Sequence, residues 1–529
     1  MNKRFFLTWL AAGLMLAAPI SAQQTGYANP VIPGFYPDPS ICRVGEDFYL
    51  VNSSFEFFPG VPIFHSRDLV HWNQIGYCLT RDKQLPLQRV QASGGIYAPT
   101  IRYHNGVFFM VTTNVNHGGN FFVTATDPAG EWSDPVYLDQ GGIDPSLFFD
   151  EDGKVYLASN GGPDGIYQSE IDIKTGKRLT DIRHIWSGTG GRYPEGPHLY
   201  KMKGYYFLMI AEGGTEYGHM ETIARSKSPW GPFESNPGNP ILTHRNKINQ
   251  NNPIQGTGHA DMVHAKDGSW WLVCLAFRAV SGNWHHLGRE TYMAPVEWNK
   301  EGWPVVNKTG SVFMDMKVKT LPQDKGKIEK VRDDFDAPAL SLEWNYLRNP
   351  EQQNYSLSDR KGWLMLKGTT ESIDSSSSPT FIGRRQQHFN CSASAFIQYE
   401  PASGNEAGLT CYMSPSHHYE VFIGADDQGK FIQTRYTIGS VRAFGKRLAL
   451  HSSQAILKII ADKLYYRLLA SVDNGVSYSE LGKVETRYLS SEVAGGFTGV
   501  YFGLYNTTRE GVTQAPAYID WFDYQPTEE

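Results

Sequence analysis

The sequence predicts an all-β protein, a five-bladed β-propeller followed by a β-sandwich. Three observations carry this. One short pattern recurs five times in the first three hundred residues, no long stretch sustains helical periodicity, and aromatics and glycines are abundant while charges are few. Aromatics make up 13% of the 529 residues and charged residues 19%, with 53 glycines, a composition suited to short strands joined by tight turns. At roughly 100–200 residues per domain, the length holds two or three domains. Lys and Arg total 48 against 54 Asp and Glu, a net charge of −6. That balance excludes an electrostatic nucleic-acid binder, which needs a basic face. A mean hydropathy of −0.40 and a single apolar run exclude a polytopic membrane protein. The aromatic surplus suits sugar binding, because apolar sugar faces stack on rings, and it equally suits a β-rich core. Oligomeric state leaves no signature in the chain.

The apolar run opens the chain. Lys3 and Arg4 precede the apolar stretch Phe5–Ile20, and Ser21-Ala22 supplies small residues before a cut after Ala22. Residues 1–22 therefore read as a secretory signal peptide, which places the mature protein in the periplasm or outside the cell. No Cys follows the cut, so no lipid anchor is expected. The five cysteines, Cys42, Cys78, Cys274, Cys391 and Cys411, include no C-x-x-C pair. They read as buried small hydrophobes rather than a zinc site or a disulfide framework, with a single disulfide left open.

Residues 27–315 carry the repeat. Asp38-Pro39-Ser40-Ile41, Ala98-Pro99-Thr100-Ile101, Asp144-Pro145-Ser146-Leu147, Gly196-Pro197-His198-Leu199 and His259-Ala260-Asp261-Met262 each open a strand. A polar or Gly-bearing turn and an aromatic-rich second strand follow each one, as in Tyr205-Tyr206-Phe207-Leu208 and Trp270-Trp271-Leu272-Val273. The Pro or Ala positions are 60, 46, 52 and 63 residues apart. Repeats of about 40–50 residues or slightly more, each a small antiparallel sheet, predict a propeller, and five repeats predict five blades. The stretch Val306–Lys330 holds Gly, Pro and several lysines, and a linker is set at 316–330. Residues 331–529 form a second all-β domain, with strands such as Ala407–Tyr412, Tyr419–Ile423 and Tyr518–Tyr524 separated by turns such as Asp426-Asp427-Gln428-Gly429. A β-sandwich is the simplest arrangement for them.

In a propeller the first strand of each blade lines the central channel, so equivalent repeat positions converge at one rim. The residues before the Pro or Ala are Asp38, Ala98, Asp144, Gly196 (preceded by Glu195) and His259. Three carboxylates and a histidine thus meet. Like charges at close range push pKa values up, which is how a protonated acid is kept beside an ionised base. Glycoside hydrolysis uses such a pair.

At these residues the chain resembles glycoside hydrolase family 43, in particular its two-domain members. The carrying segments are Gly34-Phe35-Tyr36-Pro37-Asp38-Pro39-Ser40-Ile41, Gly142-Ile143-Asp144-Pro145-Ser146-Leu147-Phe148 and Pro194-Glu195-Gly196-Pro197-His198-Leu199-Tyr200. Further matches are Ser54–Val61, Ala211–Thr215, Gly258-His259-Ala260, Leu287–Thr291, Arg332–Phe335 and Gly495–Gly499. The resemblance implies Asp38 as general base, Glu195 as general acid, and Asp144 as the carboxylate that orients Glu195 and raises its pKa. It implies inversion of the anomeric centre, hence a separation of ~6.5–9.5 Å between the Asp38 and Glu195 carboxyls. Arg289 matches an arginine that hydrogen-bonds sugar hydroxyls, Phe55 and Tyr97 match pocket aromatics, and Thr215 matches a polar contact. Phe497 matches a second-domain residue that closes the pocket, which favours exo-action on one sugar. His259 matches a channel histidine that in some relatives holds a divalent cation, often calcium, or a water; no cofactor is required.

The implied function is a secreted exo-acting glycosidase that releases xylose, arabinofuranose or both from xylan- or arabinoxylan-derived saccharides. The two-domain layout favours β-1,4-xylosidase, whereas Tyr97, where xylosidase-like relatives tend to carry Trp, leaves an α-L-arabinofuranosidase open. Two other classes remain. A non-catalytic carbohydrate-binding propeller would make Glu195 dispensable. A phosphate-dependent glycosidase would need a basic cluster beside the acids, where only Arg289 stands.

Overall fold

The computed structural model describes residues 25–247, 252–282, 284–324 and 332–527; the predicted signal peptide lies outside them. The described residues are almost entirely β. Residues 40–306 form five antiparallel sheets, each built from one contiguous segment. The first strands are Ser40–Val44, Thr100–His104, Ile143–Phe149, Glu195–Met202 and Ile254–His264; the first four begin at or within two residues of the repeat positions read from the sequence, and the fifth contains its own. Aromatic and β-branched second strands pack between blades: Phe48, Leu50, Phe207, Met209 and Trp271 share one buried cluster. Among the described residues, no blade shares strands from both ends of the propeller. Instead, Tyr27–Ala28 pairs with Asp315–Met316, and the Asn29 amide donates to the carbonyls of Met293 and Phe313, fastening the entry of the chain to the last blade.

Part of the stretch read as linker is packed. Val312, Met316 and Leu321 are buried in the propeller core, and residues 325–331 lie outside the described residues. The second domain is a sandwich of two large antiparallel sheets around Leu409, Val421, Ile459, Leu468, Phe502 and Ile519. One sheet takes a strand from the propeller: Phe57 and Phe58 pair with Leu347 and Tyr346. The domains are joined by backbone hydrogen bonding as well as by side chains. All five cysteines are buried free thiols, so the disulfide left open by the sequence does not form. No helix among the described residues is long and apolar enough to cross a membrane.

Candidate active site

The innermost strands of three blades begin with one-residue bulges, between Ile143 and Ser146, Glu195 and His198, and Gln255 and Gly258. A bulge re-aims the side chains at a strand's start. Asp38, Asp144, Gly196 and His259 all have left-handed backbones, with φ of 52°, 54°, 58° and 50°. For a non-glycine residue this costs on the order of 1–3 kcal/mol, and such strain clusters at functional sites. Glycine at 196 has a second reason: a Cβ there would lie 3.0 Å from His259 Nε2. The fourth blade therefore carries its acid one residue earlier, at Glu195.

Asp38, Asp144, Glu195 and His259 line a cavity of about 580 Å³ together with Phe55, Tyr97, Thr215, Arg289 and Phe497. Every site residue expected from the sequence is thus brought to one place. The Asp38 turn is tightly held. The buried Asn52 amide donates to the carbonyls of Tyr36 and Pro37 and to Thr291 Oγ1. Ser53 Oγ donates to Asp38 Oδ2, and Arg289 donates from one Nη to Asp38 Oδ1 at 2.8 Å and to Thr215 Oγ1 at 2.9 Å. The Gly196 N–H donates to Asp144 Oδ2 at 3.2 Å.

Two of the three carboxyls are displaced toward the protonated form. Burial, then the charges of Asp144 and Asp38, hold Glu195 well above the usual glutamate range against the pull of Arg289. Burial raises Asp144 as well; His259 opposes, Asp38 adds, and the Gly196 N–H and Arg289 lower it. The Glu195 carboxyl has no hydrogen-bond partner among the described residues and faces the cavity. An acid placed in this way can donate a proton to a ligand oxygen.

Two to four residues further along the same innermost strands, Asp261 accepts from Arg102, Ser40 and Tyr200, each at 2.7 Å, and Arg102 also reaches His198 Nδ1 at 2.9 Å. This buried ion pair with its hydrogen bonds ties the innermost strands of four blades together across the channel. One wall is aromatic: Phe55 lies 5.3 Å from Tyr97 and stacks on Phe497 at 6.0 Å, and the Arg289 guanidinium sits 5.7 Å and 5.6 Å from the Phe55 and Phe497 rings. Phe497 comes from the second domain. Calcium takes six to eight oxygen ligands. Among the described residues no group of three or more His, Cys, Asp or Glu is gathered to hold an ion, so any cation at His259 would draw most of its ligands from water.

The sequence reading missed several lining residues: Ile143, Tyr193, Gly214, Glu216, Tyr217, Phe277, His285, Ser491, Glu492 and Gly496. Ile143 and Tyr193 could have been found beside Asp144 and Glu195. The others sit away from the repeat positions: Phe277 on the second strand of the fifth blade, Ser491 and Glu492 on a short helix of the second domain, and the rest on loops. Glu492 reaches from the second domain to His285, accepting from its backbone N–H at 3.0 Å and pairing with its Nδ1 at 2.8 Å, and it accepts from Tyr217 at 3.2 Å.

A propeller pocket that presents a raised acid, a second carboxyl ion-paired to arginine, a third beneath them and an aromatic wall is the equipment of a glycosidase. Comparison with known proteins agrees. The profile described as Glycosyl hydrolases family 43 matches residues 27–304, and that of the beta xylosidase C-terminal concanavalin A-like domain matches 332–525. The chain belongs to glycosyl hydrolase family 43. It is 44% identical to a non-reducing end α-L-arabinofuranosidase of Bacteroides ovatus over 526 residues, 98% of each chain. It is 41% identical to a xylosidase/arabinosidase of Butyrivibrio fibrisolvens, covering 90% of this chain and 95% of that one. The crystal structure of a xylan β-1,4-xylosidase from Bacillus halodurans superposes with a TM-score of 0.90 at 37% identity, covering 94% of this chain and all of the other.

Proposed function

We propose that this chain is an exo-acting, inverting glycosidase that removes single non-reducing-end pentosyl units, α-L-arabinofuranosyl and β-xylosyl, from xylan- or arabinoxylan-type saccharides. The carrying observation is the gathering of the acids in one pocket, with Glu195 raised by burial and by its neighbours and Asp38 held by Arg289 and Ser53. Phe497, which narrows the pocket from the second domain, supports recognition of a chain end. Names of relatives support the sugar class: the 44% relative is a non-reducing end arabinofuranosidase and the 41% relative a xylosidase/arabinosidase. The two-domain layout no longer favours xylosidase, because the arabinofuranosidase relative matches over 98% of both chains.

In the proposed reaction, Glu195 gives its proton to the glycosidic oxygen as the bond from that oxygen to the anomeric carbon breaks. Asp38 takes a proton from a water whose oxygen bonds to the anomeric carbon on the opposite face. The products are a pentose of inverted configuration and the shortened saccharide, and both carboxyls reset by proton exchange with solvent. Asp144 keeps Glu195 protonated. Arg289 orients Asp38 and, through its remaining N–H groups, meets sugar hydroxyls as a planar donor fork. The N-terminal leader supports export as the route by which the enzyme meets polysaccharide.

The test is hydrolysis of aryl α-L-arabinofuranoside and aryl β-xyloside, sugar release from arabinoxylan and linear xylo-oligosaccharides, and the anomer first formed, read by NMR. Release of single pentoses as the inverted anomer supports the proposal. A protein that binds xylo-oligosaccharide but cleaves none of these substrates is a binding module. Release of the retained anomer excludes the proposed roles of Asp38 and Glu195.

A further inference from the structure

The cavity is also lined by residues that the proposed chemistry does not use. Among them are Tyr193, Gly214 and Glu216. Tyr193 is 59% exposed, the most exposed aromatic ring among the described residues, yet its loop is pinned. The Gly213 N–H donates to the Arg192 carbonyl at 2.7 Å, the Arg192 guanidinium donates to the Gly213 carbonyl at 3.2 Å and pairs with Glu216, and the Asn160 amide donates to the Pro194 carbonyl. The Tyr193 backbone is left-handed, with φ of 51°. Its ring lies against Gly214, where a Cβ would come within 3.2 Å of Tyr193 Cδ2, and beside the Arg192 guanidinium at 5.3 Å. A large ring is thus held on a fixed loop with its surface turned to the cavity instead of the core.

Its place along the chain gives it a side. Two residues of extended chain span at most about 7 Å, so Tyr193 stands next to Glu195 and, by the proposed chemistry, next to the departing oxygen. An acid that protonates the leaving oxygen has the leaving saccharide on its own side. An open ring offers a platform for the apolar face of a sugar, and the Arg192–Glu216 pair offers a donor and an acceptor to its hydroxyls.

We infer that Tyr193, with Arg192 and Glu216, forms the subsite for the first sugar of the leaving saccharide and so sets preference for oligosaccharide over short substrates. This rests on the hydrolase reading above. The test compares kcat/KM for wild type, Tyr193→Ala, Tyr193→Phe and Tyr193→Trp on xylotriose, on an arabinofuranosyl-substituted xylo-oligosaccharide, and on β-xylosyl fluoride, whose leaving group is too small to reach the ring. In Tyr193→Ala the oligosaccharide-to-fluoride ratio is expected to fall about tenfold, mostly through KM, with Tyr193→Phe and Tyr193→Trp restoring most of it. A ratio that does not change, or that falls equally in all three variants, overturns the subsite. Wild-type protein inert on all three substrates overturns the hydrolase reading, and the subsite with it.

Discussion

The backbone N–H of Phe497 donates to the Ser93 hydroxyl at 2.8 Å across 404 residues of chain. It is the stitch that holds a second-domain ring in the wall of a first-domain pocket. Ser93 is itself anchored, since its N–H donates to the buried Glu56 carboxylate at 2.9 Å. Glu56 in turn accepts at its carbonyl from the N–H of Arg348, which belongs to the sandwich. Burial pushes Glu56 up to about 7, with Arg348 opposing.

Ser93→Ala removes the acceptor and frees the loop. Loss of one buried hydrogen bond costs on the order of 1 kcal/mol. The expected outcome is a KM on pentosides raised about fivefold with kcat within about twofold, measured by initial rates. An unchanged KM would show that Phe497 is held by packing alone.

Glu195 supplies the alkaline limb of the pH–rate profile if it is the acid that must stay protonated. Its raised position sets that limb well above the usual glutamate range. Asp144→Asn removes a charge that raises Glu195, so the limb is expected to move to lower pH. In Glu195→Gln the limb should disappear and kcat on xylo-oligosaccharide fall about 10²–10⁴-fold. A profile in which Asp144→Asn moves the limb upward contradicts this electrostatic account.

Arg289 donates to Asp38, Thr215 and, at 3.4 Å, the Phe497 carbonyl. Lysine offers one point charge in place of the planar fork. Arg289→Lys is expected to lower kcat/KM about 10²-fold while shifting Tm by less than about 3 °C; a variant with near-wild-type kinetics would remove Arg289 from the site.

His418 titrates a stability term in the sandwich. Its ring is fully buried between Glu420 at 2.7 Å and Asp374 at 3.1 Å. Burial opposes its charge, but Glu420 and Asp374 outweigh it and raise His418 to about 9. A raised histidine contributes fully below its unfolded value near 6.5 and loses that contribution as pH rises through 9. The shift is worth roughly 3 kcal/mol. The stability gap between wild type and His418→Gln, measured by urea unfolding, is expected to be wide at pH 6 and to narrow by that amount by pH 10. A gap independent of pH would rule out the charged pair.

The propeller is legible in the sequence because each blade is a contiguous stretch whose strands pair with their sequence neighbours. Asp38, Asp144, Glu195 and His259 can be placed at one rim from the repeat alone, since its symmetry turns equal positions into neighbouring ones. Ser53 is not legible, because nothing in the sequence says which serine of the Ser53-Ser54 pair turns toward Asp38. Tyr193, two residues before Glu195, is within reach of the sequence, although the repeat itself does not extend to it. The Phe57–Phe58 strand escapes because its partner lies in the other domain.

From its residues alone, this protein's blade count, the meeting of its acids and its family could be read, because those follow from local pairing repeated five times. The docking of the sandwich, the insertion of Phe497 and Glu492 into the pocket and the ion pair of Arg102 with Asp261 between blades were decided by tertiary structure. Such contacts join segments far apart in the chain with no period between them, and they are selected by the fit of folded surfaces.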